Sequence, residues 1–335
     1  MGKIAVVTDS VACVPAELVE RYHIQVVPFH VIWDGQAYRD GVDLSPAEFY
    51  RLFGQNKAYP TTSQPSLADF IRVYARLSET AEGIVSIHIP AELTGTVSVA
   101  QTAAREAASV PVVVIDSGLA TIAQGFVVLA ASQAAEAGGS LEEVEAAARS
   151  MIPRVHFYAT LDDLKHLHRG GRIGEAATLL GSKLGINPIL NLEHGRVTVV
   201  SVVRTRRTAV EKMIDMMREQ TGDRPLHASV FHGDALSEAE RIAGEIQSSF
   251  NCVEFYITTF TPVMGAHTGP GVIGLAFYAD ETDEPAAADS GDGNSRLGFL
   301  SRSLSLWSLG WTSACIASRT KALATSFTPS PGPRN

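Results

Sequence analysis

The chain has 335 residues, enough for roughly two domains of about 150 residues and for a substantial buried core. Hydrophobic residues at 45% exclude disorder of the whole chain, and 27 Lys and Arg against 36 Asp and Glu give a net charge of −9, the opposite of what a phosphate-backbone binder carries. Cys13, Cys252 and Cys315 are an odd number without short spacing, which excludes a disulfide framework and a Cys-x-x-Cys metal site and makes a reducing cytoplasm the expected compartment.

The first apolar run, Lys3 to Thr8, is too short for a signal peptide, and Val6 stands where a myristoylation signal requires Ser or Thr. Short and β-branched, it reads as a buried strand that delivers Asp9 and Ser10 at its C-terminal end. Ser45-Pro46-Ala47-Glu48 has an N-cap serine, proline at the first helical position and glutamate at the third, so a helix runs from here towards Phe53. Ser66-Leu67-Ala68-Asp69 opens another through Phe70, Val73 and Leu77, with aspartate in the glutamate position. Gly83 to Ile89 and Val110 to Ile115 repeat the strand pattern, the latter ending in Asp116-Ser117. Leu119 to Ala137, the longest apolar stretch, contains Gln124, Ser132 and Gln133 and reads as a buried helix, not a membrane span. Alternating strands and helices predict a mostly parallel α/β sheet.

The pattern changes after Gly138-Gly139. Ser140 caps a helix through Met151, a strand covers His156 to Thr160, and Leu161 to Leu184 reads as two helices broken at Arg169-Gly170-Gly171-Arg172. Ile186 to Leu192 and Arg196 to Val203 form a hairpin turned at Glu193-His194-Gly195, and a basic helix follows from Thr205 to Thr221. Leu226 to Phe231 is a strand ending in His232-Gly233-Asp234. Ser237-Glu238-Ala239-Glu240 caps a further helix, and strands occupy Val253 to Thr259 and Val272 to Tyr278. The expected organisation is an α/β chain of two domains: a parallel α/β N-terminal domain over residues 1–150 and an α/β, α+β-like C-terminal domain over 151–278. Residues 279–335 differ in composition, with an acidic run followed by a Ser- and Thr-rich segment holding Trp307 and Trp311, and predict a disordered tail.

Common catalytic signatures are missing. Gly269-Pro270-Gly271-Val272-Ile273-Gly274 has the letters of a dinucleotide fingerprint, but a strand follows it where a helix is required, and Pro270 removes an amide donor. It reads as a tight strand-entry turn. His166-Leu167-His168 lacks the i, i+4 spacing of a zinc pair and reads as part of a helix whose solvated face carries Lys165, His168 and Arg169. There is neither a G-x-S-x-G elbow nor a P-loop.

What remains is a set of hydroxyl-rich turns: Pro60-Thr61-Thr62-Ser63-Gln64-Pro65-Ser66, Leu93-Thr94-Gly95-Thr96 and Gly265-Ala266-His267-Thr268-Gly269. Loops after strand ends are where open α/β sheets bind ligands, and hydroxyls with free helix-start amides and a histidine suit one carboxylate or phosphate. Two other classes compete. In one, His267 is the base and Thr94 or Ser63 the nucleophile of an acyl or phosphoryl hydrolase, oriented by Asp9 or Asp116. In the other, Arg204, Arg206, Arg207 and Lys212 form a nucleic-acid face, which the acidic charge disfavours.

At these positions the sequence resembles the DegV family of bacterial fatty-acid-binding proteins, from about Lys3 to Tyr278. The resemblance is carried by Thr8-Asp9-Ser10, Thr62-Ser63-Gln64-Pro65-Ser66, Thr94-Gly95-Thr96 (usually Ser-Gly-Thr) and Asp116-Ser117. Gly170-Gly171-Arg172-Ile173, Pro188-Ile189-Leu190 and His267-Thr268-Gly269-Pro270-Gly271 extend it. It implies a non-catalytic cytoplasmic protein that encloses one long-chain fatty acid in a tunnel between its two domains. Thr62 and Thr94 would hold the carboxylate, with Ser63, the Gly95 amide and His267 nearby and Arg172 and Arg204 near the mouth. The family resemblance also implies a separate ATP-dependent fatty acid kinase that makes an acyl-phosphate for phospholipid synthesis. No metal, cofactor or nucleic acid is expected, and membrane contact is at most transient.

Overall fold

The computed structural model describes residues 4–55, 58–180 and 185–281, so the expected tail from residue 282 onward lies outside the described residues, and Ala279, expected to open it, ends the last strand. The N-terminal part comprises β1 (Ile4–Asp9), α1 (Ala16–Arg21), β2 (Gln25–Val27), β3 (His30–Trp33), β4 (Gln36–Arg39), α2 (Pro46–Phe53) and β5 (Thr61–Ser63). There follow α3 (Leu67–Leu77), β6 (Gly83–His88), α4 (Thr96–Ala107), β7 (Val112–Asp116), α5 (Thr121–Glu136) and α6 (Leu141–Met151). The remainder holds β8 (His156–Thr160), α7 (Lys165–Arg169), β9 (Asn187–Glu193), β10 (Arg196–Val203), α8 (Arg206–Thr221) and β11 (Leu226–His232). It closes with α9 (Leu236–Ser249), β12 (Cys252–Thr259), α10 (Pro262–Thr268) and β13 (Ile273–Ala279).

Strands β2-β1-β6-β7 form a parallel sheet, as the strand–helix alternation predicts, and β6 is buried along its whole length. A six-stranded mixed sheet, β10-β9-β8-β13-β11-β12, forms the second layer. One hydrophobic core joins the two, since Val85 and Ile115 of the first sheet and Phe126 of α5 pack in the same cluster as Phe157, Ala159 and Leu190 of the second. The predicted caps Ser45, Ser66 and Ser140 each accept a first-turn amide, Ser66 and Ser140 completing capping boxes with Asp69 and Glu143, and Thr205 caps α8 in the same way. The β9–β10 turn has His194 at φ 49° and Gly195 at φ 77°, the left-handed pair that a two-residue hairpin needs.

Several expectations are corrected. Thr61-Thr62-Ser63 is no turn but β5, which pairs with β3 in a third, antiparallel sheet of order β4-β3-β5. Gly265 to Thr268 belongs to α10, which Pro262 opens and Gly269, at φ 71°, ends. The Leu161 to Leu184 segment yields only the five-residue α7 and a 3-10 turn over Gly174–Leu179, because Gly170 and Gly171 interrupt it; residues 181–184 lie outside the described residues. Helix α9 begins one residue before Ser237, after a turn in which the Ala235 amide donates to His232 Nδ1 at 3.3 Å. Gly269 and Gly271 (φ 85°) do make a strand-entry turn before β13.

The positioning of α10 depends on a carboxylate far from it in sequence. Buried Asp40 accepts from the Val263 amide at 3.0 Å and from the Ser10 hydroxyl at 2.6 Å. Burial pushes its carboxyl pKa up. One side chain from the loop after β4 thus ties the end of β1 to the first turn of the helix that carries His267.

Candidate functional site

Between the two large sheets lies a cavity of about 360 Å³. Its walls are mostly apolar, drawn from the loops after β1 and β6 (Val11, Ile89) and from the inner face of the second sheet (Phe157, Ala159, Leu190), with Asn191 among them. One end is polar. There β5 supplies Thr62 and Ser63, the loop before α4 supplies Thr94, α10 supplies His267, and Gln64 and Arg172 complete the rim.

Thr62 Oγ1 lies 2.7 Å from His267 Nε2, a bond spanning 205 residues. The Thr94 hydroxyl donates to Gln64 Oε1 at 2.9 Å and lies 3.0 Å from Thr96 Oγ1. Gly95 is the N-cap of α4 and offers no side-chain cap, so an anion at this point would meet the helix's first-turn amides. Ser63 donates to the Gln64 carbonyl at 3.2 Å. Arg172 is pinned by its own backbone neighbours, donating to the Leu93 carbonyl at 3.2 Å and the Gly170 carbonyl at 2.6 Å. Thr62, Thr94, Ser63, His267 and Arg172 are therefore brought to one cavity, with Gly95 beside them; Arg204 is exposed and does not line it.

Gly170 makes this arrangement possible. It caps α7 directly against His267, where a Cβ would overlap the imidazole Nδ1. Behind it, His166 is half-buried, while Lys165, His168 and Arg169 are exposed and form the expected solvated face. The His166 ring stacks on Tyr59 (centroids 5.6 Å apart, planes 13° apart), and Tyr59 in turn donates to the Ala266 carbonyl at 3.1 Å, next to His267.

Burial, with the Arg172 charge adding to it, pushes the His267 imidazole down to about 4. The ring is neutral at neutral pH, and its Nδ1 is buried without a partner among the described residues. The unfolded chain takes up this proton near pH 6.5 and the folded one near 4, so acid favours unfolding. The stability tied to His267 is complete above about pH 6.5 and is lost as pH falls towards 4, by about 3 kcal/mol in total. Urea unfolding of the ligand-free protein between pH 7 and 4.5 should therefore show a shallower loss in His267→Asn than in the wild type. Equal slopes would remove His267 as the source.

Neither proposed orienting carboxylate reaches His267. Asp116 accepts from the Ala91 and Gly118 amides, at 3.0 and 2.9 Å. Asp9 lies 3.0 Å from His88 Nδ1, His88 Nε2 lies 2.7 Å from Ser86 Oγ, and Tyr74 donates to Ser86. This order of Ser, His and Asp has the outline of a hydrolytic triad, but Asp9, Ser86 and His88 are each 0% exposed. The network fastens the ends of β1 and β6 and has no substrate access. On the proposed nucleic-acid face, Arg206 is held by Glu238 and Asp162, Arg207 by Glu211, and Lys212 by the Ser201 hydroxyl. The two arginine charges are thus already matched by carboxylates. Sequence reasoning missed Gln64 as the partner of Thr94; its place inside the Thr62-to-Ser66 motif was the available signal.

A family model described as an uncharacterised protein of the DegV family matches residues 3–280. Among curated proteins, a DegV domain-containing protein of Streptomyces coelicolor is 38% identical over 81% of this chain and 97% of its own length. Protein DegV of Bacillus subtilis is 33% identical over 82% of this chain and 98% of its own. Among solved structures, a DegV family protein from Thermus thermophilus, described for its fatty acid binding, matches with a TM-score of 0.78 and 34% identity, covering 83% of this chain and 99% of that one. DegV of Bacillus subtilis, a fatty acid binding protein, matches with a TM-score of 0.79 and 31% identity, covering 84% and 100%.

Proposed function

The chain belongs to the DegV family, and from that premise we propose that it is a carrier: it encloses one long-chain fatty acid and presents the carboxylate to an ATP-dependent fatty acid kinase. The observation that carries this reading is a mostly apolar cavity of about 360 Å³ in which hydroxyls and a neutral imidazole gather at one end. Burying roughly 14 methylenes at about 0.8 kcal/mol each yields about 11 kcal/mol gross, before the cost of association is subtracted. An apolar tunnel alone would not distinguish an acid from an alkane. Selectivity requires partners for the carboxylate, since a buried polar group without one costs about 1–3 kcal/mol or more.

The polar end suits presentation as well as binding. With Nε2 of His267 donating to Thr62 Oγ1, the Thr62 hydroxyl proton is free for a carboxylate oxygen. Thr94 serves the other side, with Thr96 behind it in place of Gln64. Hydroxyl donors hold the anion without an ion pair, leaving an oxygen able to attack a phosphorus atom, whereas a guanidinium in contact would lower its nucleophilicity. Arg172, engaged with backbone carbonyls at the rim, is the cation such a partner's phosphates would meet. The group of residues that would make the protein a hydrolase is incomplete, because His267 has no carboxylate partner among the described residues.

The test is direct. An organic extract of the purified protein, analysed by mass spectrometry, should contain a fatty acid in amounts approaching one per chain. Protein that is empty from every preparation and takes up no added acid would overturn the carrier reading.

A further inference from the structure

A second cavity, of about 560 Å³, lies at the far end of the first, and the two share a single lining residue, Leu192. The sequence neighbours agree with an end-to-end placement. Ala120 lines the first cavity and Leu119 the second; Phe157 lines the first and Val155 the second. Strand β8 runs away from the polar end as it is followed backwards, because its C-terminus feeds α7, whose cap Gly170 abuts His267. From Leu161 back to Phe157 is four residues, about 13 Å of strand. The antiparallel pairing of Ala159 with Leu190, continued by two residues, sets Leu192 level with Phe157. Leu192 therefore stands across the end of the cavity opposite the carboxylate donors.

Its position is braced. Leu192 is the last apolar residue before the β9–β10 turn, and the tip of that hairpin rests on the loop that carries Thr94. Gly195 packs against Pro90 so closely that a Cβ would overlap the proline ring. Arg196 donates from Nε and Nη2 to the two carboxylate oxygens of Glu92, each at 3.1 Å. The loop that bears a carboxylate-binding residue thus also fixes the height of the side chain at the other end. Beyond Leu192 the second cavity has an apolar floor (Leu119, Val155) and reaches solvent between the exposed Asp116, Glu193 and His194.

We propose that Leu192 is the residue that sets the upper limit of acyl-chain length, by closing the methyl end of the tunnel against the second cavity. This rests on the carrier reading and specifies the ligand of the same site. Taking a methylene as the ~30 Å³ share of a water, 360 Å³ holds on the order of twelve carbon units. A longer chain must bend back or displace Leu192, and the space it would enter is already there.

The test is a displacement titration of the full-length protein with saturated acids from twelve to twenty carbons, run on wild type, Leu192→Ala and Leu192→Phe. In the wild type, affinity should rise about fourfold per methylene and then break, flattening or falling, where the methyl end meets Leu192. Leu192→Ala should move the break up by two or more carbons, and the acids it retains on purification should lengthen accordingly. Leu192→Phe should move the break down. A break at the same length in all three proteins would overturn the assignment while leaving the carrier intact. Failure of the wild type to bind any acid of the series would overturn both.

Discussion

Thr62→Ala combined with Thr94→Ala should weaken fatty-acid binding by about 10²- to 10³-fold. Each hydrogen bond to a charged group is worth about 1.5–3 kcal/mol, and the two losses do not add fully, because Gln64 and Thr96 remain within reach of the anion. The fold should hardly notice. Both hydroxyls are only partly buried, and neither is a helix cap or a link in the Asp9 and Asp40 networks that fasten the strand ends. A fluorescent fatty-acid displacement assay, with thermal unfolding of the same samples, separates the effects. Unchanged affinity with an unchanged Tm would show that the carboxylate is held elsewhere.

Gly170→Ala should lower affinity by about 10- to 100-fold through His267 alone. The backbone at Gly170 has φ −72° and ψ −10°, an ordinary right-handed conformation that alanine adopts without strain. The added methyl, however, would occupy the space of His267 Nδ1, so the imidazole must turn or retreat and its bond to Thr62 is lost. The methyl also shuts off an edge of the ring that is buried and has no other partner among the described residues. A double-mutant cycle identifies the route. In a His267→Ala background, Gly170→Ala should have little further effect on binding, because the side chain it displaces is gone. Equal penalties in both backgrounds would mean that Gly170 acts on the pocket by another path.

Much of the fold was legible because its signals are local. Serine followed by an acidic residue three positions on marks Ser66 and Ser140 as caps whatever the rest of the chain does, and the capping boxes are there. β-branched runs closed by Asp-Ser gave strands β1 and β7 to within two residues at either end. The failures also have a common cause. Thr61-Thr62-Ser63 is too short and too polar to read as a strand, and it becomes one only because β3 provides hydrogen-bond partners 31 positions upstream, where Val31 meets Thr62. The Gly265-to-Gly269 segment reads as a turn by its glycines, but Pro262 at the helix start and the Asp40 carboxylate on the Val263 amide make it a helix.

The acidic, cysteine-poor composition and the order of small motifs determined by themselves that this is an α/β chain with three hydroxyl-rich segments and no common catalytic signature. Residue type alone carries that information: hydroxyls, glycines and a lone histidine have limited chemistry wherever they stand. Which of them meet was decided only by the tertiary structure. The Thr62–His267 contact joins positions 205 apart, Gly170 matters only because His267 faces it, and Asp9 and His88, 79 apart, spend a triad's chemistry on fastening two strands. Whether a histidine is a base, a positioned donor or a buried strut depends on its solvent access and on its second partner, and both are properties of the packed chain.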